Sequence, residues 1–522
     1  MTAAIPTESK LLRRIDEFCE LVGDKLNPIL VKETRQALKS RQFVITFSIL
    51  LFAALAWTII GSLMMMPRIY TSPSAPRMLI GYYIVLAIPM LMVVPLAAYR
   101  SLEGEIDDGT LELLSITVLS PWQIVIGKLA SAVLQMLLYF VALFPCVAYA
   151  YTLRGVDLPT VLLMVAVLLV AGLLLTVVAL FFAPLARTRS GRIVTLLAVM
   201  MILLGAEWGL AVLVINMIMY GNPLSSSELY YVVLASIAIP LSLGHLLLAT
   251  TAAQLTPDSE NRSTQIRCSM LIVTSVALGL SALAILMLGR SGFSVAVFMC
   301  LTLSALWTVA ASMMCAESPI VTPRVRRELP SSFLSRAALT WLTPGPATGL
   351  VFSSTAIVVT TAFIVGGMMV LRDQGNGVGM GRELNVFPRI CIAYSTYLIG
   401  FLTAVYWVIA QIRRRNHPRV ELGIAALIAV AVLSALIPYS IGLHFNDYRD
   451  YPYSMFQITN WAWTISEVAR TSTRMALMVP VGFFVTLSFM VTVLSNPKLV
   501  FPRRIAMPKR VQQELDANKA SR

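Results

Sequence analysis

The residues in this 522-residue chain best suited to chemistry are acids, and they cluster. Glu103, Glu105, Asp107, Asp108 and Glu112 fall within EGEIDDGTLE, and no Lys or Arg occurs between Arg100 and Lys128. Carboxylates at this density can cap a helix or accept charge-assisted hydrogen bonds from a basic partner. The plain alternative for a charge run is a solvated loop. Other titratable groups are scattered. The three His (His245, His417, His444) lie far apart, and no two of the six Cys make a CxxC pair, so neither a disulfide framework nor a metal centre is expected. No Ser/His/Asp or Cys/His constellation occurs, and no catalytic residue is assigned. The phosphate cradle GxxxxGK[ST] is absent. GNGVGMG at 375–381 has neither a strand before it nor a helix start after it, and reads as a flexible loop. Two isolated groups sit in apolar runs: Glu207 in ILLGAEWGLAV and His245 in LSLGHLLLAT. A carboxylate at membrane depth is costly and is either functional or paired. Glu207 and His245 are therefore the candidates for a translocation path, against the simpler readings of a structural hydrogen bond and a packing histidine. The Met residues are most simply core filler.

The elements that must hold these residues are apolar. Hydrophobic residues make up 58% of the chain and charged residues 13%, with mean hydropathy +0.80, where a soluble domain carries about 25% charge. A span needs roughly 20 apolar residues. Twelve are predicted, at about 43–66, 78–98, 128–151, 159–186, 193–219, 229–252, 268–289, 292–314, 348–371, 387–411, 421–439 and 475–496. The fold class is all-α integral membrane. The seventh and eighth spans form a tight hairpin at Gly289–Gly292. With both termini in the cytosol, about three in four of the 40 Lys and Arg fall on the inner side, as the positive-inside rule expects. The net charge of +14 is then a topology signal spread over short loops, not a nucleic-acid patch. SENRST at 259–264 holds a glycosylation triplet in a predicted cytosolic loop, so no glycan is expected.

Residues 7–26 are too charged for a signal peptide and read as an amphipathic surface helix. In NPILVKETRQALKSRQF (27–43), Asn27 caps and Pro28 takes the first helical position. Leu30, Thr34, Ala37 and Leu38 share one face, while Lys32, Glu33, Arg35, Lys39 and Arg41 lie largely on the other. Such a helix lies in the interface. In the acidic loop, Asp107, Asp108 and Gly109 are expected to begin a short helix, with Leu111, Leu114 and Val118 on its apolar face. Ser120-Pro121-Trp122-Gln123 is a capping box that launches the third span.

The order Glu105, Gly109-Thr110-Leu111-Glu112, Leu113-Leu114, Pro121, Gly127-Lys128 resembles the cytosolic loop of ABC type-2 exporter permeases. The likeness is strong over about 27–130 and extends to about 252, with residues 27–43 similar to the family's connecting helix. One departure is Ile106, where the family commonly has a basic residue. The resemblance implies that about 101–122 is a coupling helix docking on a separate cytosolic ATPase subunit. It makes Glu103, Glu105, Asp107, Asp108, Gly109, Thr110, Leu111, Glu112, Leu114 and Pro121 coupling residues, and Asn27, Pro28, Lys32, Glu33 and Arg35 connecting-helix residues. ATP and Mg would be bound by that partner and by no residue of this chain.

The expected organisation is a cytosolic amphipathic segment (1–42), a six-span permease domain (43–252), a cytosolic linker (253–267), a second six-span half (268–496) and a basic tail (497–522). TVLSP at 117–121 is echoed by TWLTP at 340–344, which suggests an internal repeat. Without a true repeat, the first half is the permease unit and the chain is expected to form a homodimer. The second-half loop at 329–349 lacks the acids, so coupling is expected to be asymmetric. The outer segment 446–474 is rich in Tyr and Trp. Trp461 and Trp463 there read either as an aromatic belt or as an outer gate. The expected function is the membrane subunit of an ABC exporter in a bacterial cytoplasmic membrane. The rivals are a twelve-span secondary transporter using Glu207 as its ion site and a non-transporting assembly factor with the same ATPase partner. The substrate is not readable.

Overall fold

The computed structural model describes residues 28–67, 72–109, 120–185, 189–220, 225–257, 260–318, 332, 335, 339–373, 383–415, 420–449, 451–470, 472–495, 510 and 513–514. Among them the chain is helical and has no strand. Twelve helices are long and apolar enough to cross a membrane, and the protein is a multi-pass membrane protein. The chain divides into two compact units, Met1–Thr256 and Pro257–Arg522.

The first unit begins with α1 (Pro28–Lys39) and α2 (Arg41–Met64), which Ser40 caps through its side chain. The remaining helices are α3 (Ala75–Asp107), α4 (Pro121–Thr152), α5 (Leu158–Leu185), α6 (Arg189–Tyr220) and α7 (Ser226–Leu255). At 1.5 Å per residue α3 is about 50 Å long, far longer than its predicted span of 78–98. Prolines 89 and 95 do not break it. Around Pro89 the ladder widens by one residue, so that Val94 N–H donates to Pro89 O. The core is built mainly on α3, with Tyr82, Met90, Val94 and Leu102 buried against Val125, Met136 and Leu168. α5 is central and packs on α3, α4, α6 and α7.

The predicted capping box is present: Gln123 N–H donates to Ser120 Oγ (3.3 Å) and Ser120 N–H to Gln123 Oε1 (2.9 Å). The expected turn is present at Asp108 and Gly109, but Asp107 belongs to the helix before it. Asp107 is the last residue of α3 and Asp108 its cap; Gly109, at φ +67°, ends it in the left-handed conformation a side chain disfavours. The helix runs on because Ala98, Leu102 and the partly buried Ile106 keep an apolar stripe facing inward past the last membrane residue. Residues 110–119 and residue 27, and with them Thr110, Leu111, Glu112, Leu114 and Asn27, lie outside the described residues.

In the second unit α8 (Ser263–Gly289) and α9 (Ser291–Cys315) are joined only by the bend at Gly289 (φ 57°), which is the predicted hairpin. α10 (Pro346–Asp373), α11 (Glu383–Arg413), α12 (Glu421–Phe445), the amphipathic α13 (Trp461–Arg470) and α14 (Met478–Ser495) follow. α11 is central here. It packs on α10, α12 and α14 and, through Cys391 beside Phe293 and Cys300, on α9.

Candidate functional site

The acidic stretch is built into the first unit. Lys128, two turns into α4, is 3% exposed. Its ammonium reaches Glu33 of α1 at 3.0 Å, Glu105 of α3 at 3.0 Å and Ser101 Oγ at 2.7 Å. Three oxygens thus surround the ammonium, two of them as hydrogen-bond acceptors. Ser101 Oγ also donates to the second oxygen of Glu33 (2.9 Å), and Lys32 of α1 pairs with Glu105 at 3.1 Å. Two ammonium groups thus balance two carboxylates at the meeting point of α1, α3 and α4. Such a cluster gains little net stability over an apolar one, because desolvation offsets the Coulomb attraction, but removing one member strands the others. It therefore fixes how the three helices meet.

Glu33 corrects an expectation. It is buried with Ile29, so the inner face of α1 lies against α4 rather than being wholly apolar. Ile29, Glu33 and Ala37 follow at four-residue spacing, and Lys128 makes the acid tolerable there. Lys32 and Arg35 are exposed, and Pro28 starts the helix as expected.

The other acids have separate attachments. Tyr99 donates its hydroxyl to Glu103 (3.3 Å) and shares a hydrogen bond with Thr195 of α6. Asp107 pairs with Arg192, also of α6. That pairing offsets an acid at a helix C-terminus, which the helix dipole disfavours. Asp108 is exposed and Pro121 is half-buried at the first position of α4. Of the five acids in the stretch, Glu105 and Asp107 are thus engaged by Lys32, Lys128 and Arg192.

The two path candidates have different neighbours. Glu207 is half-buried on α6 with its charge in reach of the Tyr83 hydroxyl, which is itself buried without a hydrogen-bond partner among the described residues. His245 stacks edge-on against Trp122 at 5.6 Å. Trp461 donates to Ala431 O (3.0 Å) and meets Phe401. Trp463 lies among Tyr439, Tyr451 and Tyr453. Both tryptophans pack within the second unit. Burial raises the Tyr453 hydroxyl pKa above its ordinary value, Glu467 adds to the rise, and Thr464 and Arg474 oppose it.

Sequence reasoning missed a second charged centre. Arg267, near the start of α8, is fully buried. It pairs with Glu317 beyond α9 at 3.0 Å and donates to the carbonyls of Trp341 (2.8 Å), Thr343 and Gly345 (3.1 Å). Gly345 N–H donates to Glu317 (2.8 Å). This network seats the 340–345 turn before α10. Arg267 carries the same charge as Arg262 in the same loop, so in the sequence it is indistinguishable from a topology signal. No group of His, Cys, Asp and Glu among the described residues could hold a metal ion. No family model, curated protein or solved structure matches the chain.

Proposed function

We propose that this chain is the membrane-spanning permease subunit of an ABC type-2 exporter, driven by a separate ATPase at the cytosolic face of a bacterial membrane. The observation that carries the reading is the Glu105–Lys128 contact at 3.0 Å. These residues lie at the two ends of the run that resembles the family's coupling loop, and Glu33 of the connecting helix closes the cluster. A force applied between Asp108 and Ser120 has a polar linkage through which to reach α1, α3 and α4 together. The partner supplies ATP and Mg and all the bond-breaking. The residues described here transmit displacement and expose a path. The substrate is some molecule carried across the bilayer.

The reading includes two six-span halves on one polypeptide. It is supported by a shared order of neighbours: in each unit the fourth long helix (α5, α11) packs on the second, third, fifth and sixth. In each, too, the fifth packs on the second, α6 on α3 and α12 on α9.

The test is isolation of the chain from its own membrane, with Mg-ATP hydrolysis measured in the purified complex. A nucleotide-binding subunit is expected to accompany the unmodified chain. Glu112→Arg is expected to release it, or abolish coupled hydrolysis, while the protein still inserts. Coupling that survives this charge reversal contradicts the assignment.

A further inference from the structure

The first unit carries a cavity that the coupling cluster does not use. It opens between α5, α6 and α7 and has a volume of about 1030 Å³, at the upper end of the roughly 300–1,000 Å³ of small-molecule sites. Its walls run from Leu163 to Leu175 on α5, from Ala206 to Tyr220 on α6 and from Leu229 to Pro240 on α7. At 1.5 Å per residue these stretches are about 16 to 21 Å long. That matches one leaflet, about half of a 30 Å hydrocarbon core. A partner's membrane helix would need a groove along the whole core, so this length argues against one. The walls are almost wholly apolar: Asn216 and Tyr220 lie toward the connection from α6 to α7, and Ser236, deeper on α7, spends its hydroxyl on Val233 O (2.8 Å). Tyr220 and Tyr230 are exposed beside the connection from α6 to α7, at the level where aromatic side chains meet headgroups. One turn deeper lies Asn216, whose amide donates once to Val212 O (2.8 Å) and carries a second N–H. The ester carbonyl of a membrane lipid, just below its headgroup, can accept from such a donor.

We infer that this groove is a binding site for the acyl portion of a membrane lipid, entered from the leaflet on the side of the Tyr220–Ser225 connection, with the ester region at Asn216. The inference stands apart from the ATPase reading, since it needs no nucleotide and no partner.

Gly209 faces the groove, and a Cβ built on it meets nothing within 4 Å. Gly209→Leu therefore has room for its Cβ and directs the rest of the side chain into the groove. Gly205 is equally open but does not line the groove, so Gly205→Leu is the control. The purified chain is placed in phospholipid nanodiscs containing a phospholipid with a photoactivatable acyl chain, and adducts are mapped by mass spectrometry. Adducts are expected to concentrate on 206–220 and 229–240. They should fall about tenfold or more in Gly209→Leu, the scale of one misfit group in an apolar pocket, and stay unchanged in Gly205→Leu. Ser236→Leu fills the groove from the facing helix and serves if the first variant does not fold. Even labelling of all spans in the unmodified chain, or equal labelling of the filled and control variants, overturns the site.

Discussion

Lys128 ties α4 to α1 and α3 through one nitrogen. If Lys128 is replaced by Met, Glu33 and Glu105 lose their shared counter-charge in a site with little water. Breaking a buried pair from one side costs about 3–5 kcal/mol. Lys128→Met should lower thermal stability in detergent accordingly, and adding Glu33→Gln should recover part of the loss. If the single substitution leaves the melting temperature unmoved, the cluster does not hold the helices. Lys128 was visible in the sequence as part of a motif, but its partners were not. Glu33 lies 95 residues away, and helical periodicity sorts residues by polarity. An acid that faces inward because a lysine awaits it breaks that sorting without leaving a local sign. The same holds for Arg267, half of whose acceptors are backbone carbonyls with no signature in the sequence.

Among the helices, twelve apolar runs were legible because length and composition alone mark them. Their ends were not. α3 continues past its apolar run to Asp107, where side chains on α1, α4 and α6 receive its acids, and those residues are remote in sequence. Ser120, by contrast, announces the start of α4 locally, and the prediction held. Close approach was also hidden. A Cβ on Gly423 of α12 would stand 2.0 Å from Ser312 O on α9. That atom belongs to a backbone and cannot swing aside. Gly423→Ala should therefore separate α12 from α9 and destabilise the second unit by about 1–3 kcal/mol. The measurement is the accessibility to a membrane-permeant thiol reagent of Cys315, buried at the end of α9 and held through its carbonyl by Arg413. Unchanged protection of Cys315 would show that the contact is not limiting.

As a whole molecule, the chain comprises two compact units with their own cores, parted at Thr256 and Pro257. Domains of that kind can in principle fold alone. Residues 1–256, expressed without the rest, should insert and unfold in a single cooperative transition. Rapid degradation of that fragment with normal synthesis would show that it depends on residues 257–522. The second unit carries its own lesson about synthesis. Gly289 reverses the chain within one residue, and a Cβ on Gly292 would lie 1.8 Å from Ala284 O, so the backbones of α8 and α9 touch at once. A nascent chain that has just delivered Gly289 has no loop with which to park the first helix while the second emerges. The pair is therefore expected to enter the bilayer as a single folded-back unit, and a chain truncated just after Gly289 should leave its first arm poorly inserted.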